Sequence, residues 1–521
     1  SARLGHLRAG LSSILNPVIF HSRGGISENR QLIFSTIPLG DFMRKTFRIY
    51  RSGFIVSVLL SAALSGQTAK IHVSSRAGDR IAAKPDVQFG DAKSTGGATF
   101  EINDAEKYQT MAGFGASIME AGIITLNTLP ATKQEDVLRS LFDARDGAGY
   151  TAMKTPIAAT DFQSAGPWYT YDDTPGDVEL KNFSVERDFA PNGVGTYILR
   201  ASKYGHFALQ SPMDYPPDWM LFDVKRHQDI QPKYYPVLAE YYVRYLEEYR
   251  KHGITIDYLS LFNEPEEVYT KIKYPEIRVL LRDFVGPAVQ QSGLPTKIML
   301  SEAPERKVAF GRYSVVLDDP EARKFVAVVP YHGYDFKNYD KIAQLKAKYP
   351  DLPFWMDELC YAYEAGYPKN KKLPIYDFDD GDAWGNIIFS DLEAGTSAWL
   401  YWNAILDESG GPWAVSPVHG NPDPNIQHPV VIINKSTHEV TYTGLYYYLA
   451  HFSKFVRPGA VRIETTGKSK GVRAMAFQTP EGGVVAQVLN SQPTDTDVNL
   501  VYHGRTLHLA APARSITTAT W

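Results

Sequence analysis

With 521 residues, 44% of them apolar and 21% charged, the chain is long enough for two or three domains built on large hydrophobic cores. A net charge of −4 gives no electrostatic reason to expect nucleic acid as a partner, and a single cysteine, Cys360, excludes an intrachain disulfide. None of the 13 histidines stands in metal-ligand spacing, so no metal and no other cofactor is expected.

In chain order, the first signal is a basic stretch, Met43 to Arg51, followed by the apolar run Phe54 to Leu64 and the small residues Ser65 and Gly66. This is the layout of a secretory signal peptide and is short for a membrane span. A secreted or periplasmic protein with no transmembrane segment in its mature form is therefore expected. Residues 1–42 are expected to lie upstream of a start at Met43, so 1–69 read as upstream segment plus signal. Residues 70–110 read as short strands with a turn at 94–97, expected to join a β-sandwich beside the main domain.

From 111 to 448 the pattern changes. Strand-like runs at Thr151–Ala158, Ile256–Phe262, Lys297–Leu300, Val326–Val329, Pro353–Met356 and Ser397–Tyr401 alternate with helical spacing at Tyr234–His252, Pro275–Ser292 and Asp382–Ala394. Such alternation over about 330 residues predicts an α/β fold, a (β/α)8 TIM barrel. Residues 449–521 return to short alternating strands, which predicts an attached antiparallel β-sandwich.

Two glutamates stand directly after buried-strand patterns: Glu264 follows Ile256–Phe262, and Glu358, 94 residues later, follows Leu352–Met356. At about 30 residues per strand–helix unit, the gap is three units, which puts both carboxylates on one rim of the barrel. Two facing carboxylates are the minimal machinery for cleaving a glycosidic bond. A lone Glu is more often a solvated loop charge, but a Glu after an apolar strand, between Asn263 and Pro265, is much less ordinary. The 32 Tyr, 25 Phe and 8 Trp suit stacking on sugar faces and suit an aromatic core equally well. Cys360, with no histidine near it in sequence to activate it, reads as a buried inert thiol.

The blocks Gly113–Ser117, Thr160–Gln163, Tyr169–Pro175, Ser211-Pro212 with Pro216–Trp219, Asn263–Pro265, His332–Tyr334, Asp357–Cys360, Trp402–Trp413 and Tyr446–Phe455 occur in order. In this combination the sequence resembles glycoside hydrolase family 30, and within it the glucosylceramidase (acid β-glucosidase) branch. The resemblance implies Glu264 as general acid/base, Glu358 as nucleophile, and Asn263 on the sugar 2-hydroxyl. It further implies Tyr334 hydrogen-bonded to the nucleophile, His332 in the same pocket, Asp161 on distal sugar hydroxyls and Trp402 as a stacking floor. A backbone-satisfied core histidine, a loop-capping Asp and simple barrel packing are the structural alternatives for the last three.

Several positions depart from the family. Met213 stands where a sugar-contacting tryptophan is usual, Lys154 where an arginine is usual, and Gly333 where an aromatic is common. Trp168, in an apparent insertion, is expected to supply a replacement aromatic wall. Asp357 is a rival carboxylate, and strand alternation is expected to turn it away from the pocket that Glu358 faces. The expected activity is retaining hydrolysis of β-glucosides, with a β-linked glycoside, an oligosaccharide or a glycolipid as substrate. Alternatives are an endo-β-1,6-glucanase, a β-galactosidase, β-xylosidase or β-fucosidase, and a carbohydrate-binding barrel without catalysis.

Overall fold

The computed structural model describes residues 66–91, 96–160, 162–164, 169–222, 229–266, 270–361, 378, 380–411 and 427–521. The signal-peptide stretch, Asp161 and Trp168 lie outside the described residues.

Eight parallel strands close a barrel: β1 (Gly113–Ser117), β2 (Ala152–Lys154), β3 (Ala208–Pro212), β4 (Tyr258–Ser260), β5 (Lys297–Met299), β6 (Val326–His332), β7 (Phe354–Glu358) and β8 (Thr396–Asn403). Neighbours in sequence are neighbours in the sheet, and β8 pairs with β1 to leave no edge. β1, β7 and β8 are buried at every position, as strands covered on both faces must be, and each carries an apolar stretch that gives way to polar residues at its C-terminal end. Ala152, Met299, Val328, Trp355, Ala398 and Leu400 pack together as one core cluster inside the barrel. Two residues further along their strands, in the same inward phase, come Lys154, Asp357 and Trp402.

The helices cover the outside. Tyr235–Lys251 buries Tyr235, Tyr241, Tyr242, Tyr245 and Tyr249 against the barrel, so much of the aromatic excess is core. The helix expected over 275–292 runs as Tyr274–Leu280, a π-helical turn Leu281–Val285 and Gly286–Ser292. Pro287, which lacks an N–H, is the second residue after that wider turn. Among the described residues no helix is long and apolar enough to cross a membrane.

A ten-stranded sheet forms the second layer. Its order is Ala82–Gln88, Thr68–Ser75, Ser515–Thr520, Val484–Asn490, Val472–Gln478, Val461–Thr466, Ala98–Thr110, Thr496–Tyr502, Arg505–Ala511 and Gly90–Asp91. Strands from both ends of the chain thus interleave: Thr68–Ser75 pairs antiparallel with Ser515–Thr520, and Ala98–Thr110 pairs parallel with Thr496–Tyr502. They enclose their own core, including Ile71, Val73, Phe100, Val488, Leu500 and Leu507. The boundary expected at 448 falls inside the helix Gly444–Phe455. Leu445, Tyr448, Leu449 and Phe452 of that helix belong to the barrel's outer core, so the barrel unit runs on to Phe455.

Candidate active site

The ends of five barrel strands and the turns that follow them converge on one cluster of charges. Lys154 ends β2, Asn263 and Glu264 follow β4, Glu302 follows β5, His332 ends β6 and Glu358 ends β7. The backbone beyond β4 is pinned on both sides: Asn263 N–H donates to the Met213 carbonyl, Glu264 N–H to the Glu302 carbonyl, and Glu302 N–H to the Phe262 carbonyl, each at 2.9 Å. Within this frame Glu264 takes φ of 42°, in the left-handed region. That conformation costs a non-glycine residue about 1–3 kcal/mol and persists only where surrounding contacts over-determine it.

Lys154 is fully buried. Its Nζ donates to Glu302 Oε2 at 2.5 Å and to Glu358 Oε2 at 2.7 Å, and lies 5.2 Å from the centre of the Trp402 ring. Tyr334 Oη donates to Glu358 Oε1 at 2.8 Å, so both oxygens of that carboxylate hold a donor. His332 bridges the two sides: Nδ1 is 2.8 Å from Glu264 Oε1 and Nε2 is 3.2 Å from Glu302 Oε2. One carboxylate oxygen from each of Glu264 and Glu358 and a ring nitrogen of His332 all lie within 4.8 Å of one another.

Burial alone would favour neutral side chains, and the carboxylates overcome it. Desolvation lowers the His332 pKa, and the Lys154 ammonium 3.5 Å away also lowers it, but Glu358 together with hydrogen bonds to Glu264 and Glu302 pushes it up to about 10, which favours the imidazolium form, able to donate from both nitrogens. Desolvation likewise opposes the Lys154 ammonium, while Glu302 and Glu358 hold its pKa above the usual lysine range. Glu302 is the mirror case: burial raises its pKa, and Lys154 and His332 draw it down to about 2. Asp357 goes the other way, pushed well above the carboxylate range by burial and then by the charge of Glu302.

Asp357 corrects the sequence reading, which turned it away from the pocket. It faces the barrel interior in phase with Trp355, and accepts a hydrogen bond from Gln210 Nε2 of β3 at 2.9 Å. The β6–β7 register shifts between Tyr331 and His332, which pair with Met356 and Glu358, so Asp357 is passed over. Strict alternation is broken there, and adjacent residues both reach the interior.

Met213 is the second correction. Alternation along and just beyond β3 sends Ser211 and Met213 outward to the helix Tyr235–Lys251, where Ser211 Oγ lies 2.7 Å from Tyr245 Oη and Tyr242 Oη donates to Met213 Sδ at 3.5 Å. The Met213 side chain is thus fully buried between barrel and helix, and only its carbonyl supports the site, through Asn263. Asn263 is 3% exposed and its Oδ1 has no partner among the described residues. Trp402 is 2% exposed and packs over Lys154. Cys360 is buried with its Sγ 3.6 Å from Tyr334 Oη.

Glu302 escaped the sequence reading. Its local signal resembles that of Glu264, an apolar strand running into Ser301-Glu302-Ala303-Pro304, but no rule separates it from an ordinary loop acid. Glu302, His332 and Asp357, like Glu264, His332 and Glu358, offer ligand atoms close enough to share a cation. The Lys154 ammonium already sits against Glu302 and Glu358, and His332 is held on both nitrogens, so the protein supplies the positive charge itself.

Residues 111–456 match the model of the glycosyl hydrolase family 30 TIM-barrel domain, and residues 459–519 match the family's beta sandwich domain. The chain is 26% identical over 460 residues to the lysosomal acid glucosylceramidase of Mus musculus, across 82% of this chain and 85% of that one. It is 25% identical over 424 residues to an endo-1,6-beta-D-glucanase of Neurospora crassa, across 77% and 82%. A solved endo-beta1,6-glucanase is similar in fold, with a TM-score of 0.76 at 22% identity over 87% of this chain and 99% of that one. Since both domains of the family are matched in order from residue 111 to residue 519, the chain belongs to glycosyl hydrolase family 30 and is a glycoside hydrolase.

Proposed function

We propose that this glycoside hydrolase cleaves β-glucosides with retention of configuration, with Glu358 as nucleophile and Glu264 as general acid/base. The observation that carries the reading is the spacing of the two carboxylates, whose nearest oxygens fall within 4.8 Å. Inverting enzymes hold their carboxyl groups about 6.5–9.5 Å apart to seat a water, whereas direct attack wants about 5–5.5 Å.

In the first step a Glu358 oxygen bonds to the anomeric carbon as the bond to the leaving oxygen breaks. Glu264 gives its proton to that oxygen. In the second, water attacks the anomeric carbon, passes a proton to Glu264 and releases Glu358 as carboxylate. Tyr334 and Lys154 hold Glu358 from both oxygens. His332 donates to Glu264 Oε1, which leaves Oε2 to carry the transferable proton. As Glu358 loses its charge to the ester, Glu264 gains one, so the charge facing Lys154 and His332 is conserved through the cycle. The unpartnered Asn263 Oδ1 is free to accept from a sugar hydroxyl, a contact that strengthens as the oxocarbenium-like transition state forms.

The glucosylceramidase among the relatives supports a β-glucoside with an apolar aglycone, and the basic then apolar run over Met43–Leu64 supports export. The test is hydrolysis of 4-nitrophenyl β-D-glucoside followed by proton NMR, beside glucosylceramide, β-1,6-glucan and the galactoside, xyloside and fucoside. First appearance of the β-anomer is expected, and the α-anomer would overturn retention. Preference for β-1,6-glucan or for another sugar would overturn the substrate. N-terminal sequencing of the exported protein tests the processing.

A further inference from the structure

Arg306 is fully buried, although nothing in the proposed chemistry uses it. Its guanidinium uses all three nitrogens in four hydrogen bonds. Nε and Nη2 donate to the two oxygens of Asp391 at 2.9 and 2.8 Å, and Nη1 donates to the Gly333 carbonyl at 2.9 Å and to Asp335 Oδ1 at 2.8 Å. Asp391 is itself fixed by Tyr331 Oη and Trp399 Nε1, both at 3.1 Å. One edge of the Arg306 guanidinium is therefore anchored on Asp391 of the helix Asp380–Glu393, and Nη1 holds the Gly333 carbonyl and Asp335.

Gly333 lies between His332, which donates to Glu264, and Tyr334, which donates to Glu358. Its N–H donates to the Glu358 backbone carbonyl at 3.0 Å, while its own carbonyl accepts from Arg306. The close approach leaves no room for a side chain. A Cβ at 333 would stand 2.9 and 3.2 Å from the two terminal nitrogens of Arg306 and 3.0 Å from Leu359 Cδ2. The backbone of Gly333 is not in the left-handed region, so space, not conformation, is what demands glycine.

We propose that Arg306 and Gly333 act together as a clamp that positions Tyr334 and His332 on the two carboxylates. Arg306 does not meet the substrate and is a positioning residue. A lysine would keep its charge but could not span Asp391 and the Gly333 carbonyl at once. The proposal rests on Glu358 and Glu264 having the roles given above.

The experiment is a double-mutant cycle on the full chain: Gly333→Ala, Tyr334→Phe and the two combined, with 4-nitrophenyl β-D-glucoside as substrate. If Gly333 acts through Tyr334, each single change lowers kcat by about 10-fold or more with KM within about twofold. The double variant is then no slower than the worse single one, because coupled residues do not add. Multiplicative losses, or an unchanged kcat in Gly333→Ala, overturn the clamp. Arg306→Lys, measured in both Tyr334 backgrounds, is the second arm, and Gly333→Ala keeps the test alive if that variant does not fold. Labelling the wild type with an activated 2-deoxy-2-fluoro-β-glucoside separates the two levels. Label on Glu358 with multiplicative losses sinks the clamp alone, and label on another residue sinks the catalytic assignment together with it.

Discussion

Lys154 Nζ lies 2.7 Å from Glu358 Oε2 and makes its other short ion pair with Glu302, so one buried point charge is shared between the proposed nucleophile and a carboxylate one layer away. An ammonium offers three rotatable donors and can divide itself this way. Removing it leaves two carboxylates facing each other in the barrel interior. Lys154→Met is therefore expected to cost about 3–5 kcal/mol of stability, the range for breaking a buried ion pair. Denaturant unfolding measures it, and near-wild-type stability would show that the pair is solvated.

Glu358→Gly removes the oxygen proposed to attack. Turnover of β-glucosides is expected to fall by about 10⁴-fold or more, and azide is expected to restore it by entering from the vacated side, giving the α-glycosyl azide. A β-configured azide, or residual rates near wild type, would rule out Glu358 as nucleophile.

Glu264→Ala removes the proposed proton donor and leaves the proposed nucleophile in place. Substrates with poor leaving groups are expected to slow by about 10²–10⁴-fold, while dinitrophenyl glycosides, whose leaving oxygen needs no proton, keep a fast glycosylation step. The measurement is kcat/KM against leaving-group pKa. An equal drop across the series would argue against this role.

His332 and Glu302 predict how stability changes with pH. The His332 pKa is raised from 6.5 to about 10, so its contribution is fully present below 6.5 and is lost as the pH climbs through 10. The Glu302 pKa is lowered from 4.5 to about 2, so its contribution is present above 4.5 and is lost as the pH falls through 2. The melting temperature of wild type relative to His332→Gln is expected to be highest below pH 6.5 and to narrow toward pH 10. A gap that widens with rising pH would contradict the imidazolium assignment.

Asp357 carries the opposite sign. Its folded pKa is raised above 3.8, so the native state prefers the neutral acid and loses stability as pH rises from that value. Asp357 Oδ1 and Glu302 Oε1 both lack partners among the described residues. An asparagine at 357 keeps an acceptor for Gln210, removes the titration and brings a donor toward the acid beside it. Asp357→Asn is expected to stabilise the protein by about 1 kcal/mol at neutral pH, with the gain growing as pH rises. Thermal melts of the two proteins between pH 4 and 8 decide it, and a destabilised variant would mean that Asp357 is needed as an anion.

The barrel was legible because a strand–helix alternation is written in local periodicity, and the strand seams at Ile256–Phe262 and Val326–Val329 carry it without help from distant residues. The strand-end positions of Glu264 and Glu358 could be read for the same reason, since each stands just beyond an apolar seam. Met213 could not be placed from its motif. Its side chain faces Tyr242, on a helix that starts 22 residues later, and the phase of a short strand is settled by what packs on either side of it. Glu302 was illegible because its importance lies in Lys154 and His332, which come from two other strands.

By itself the sequence determined the architecture and placed Glu264 and Glu358 at strand ends on one rim of the barrel, because periodicity and strand-end position are properties of neighbouring residues. Only the tertiary structure decided how those carboxylates are held. The register shift at His332 turns Asp357 and Glu358 toward the same interior, contacts between β2, β5, β6 and β7 set the charge on Lys154, Glu302 and His332, and Arg306 reaches Gly333 from the start of the helix Arg306–Arg312. Register and electrostatic coupling exist only between segments that folding brings together, and no stretch of the chain contains them on its own.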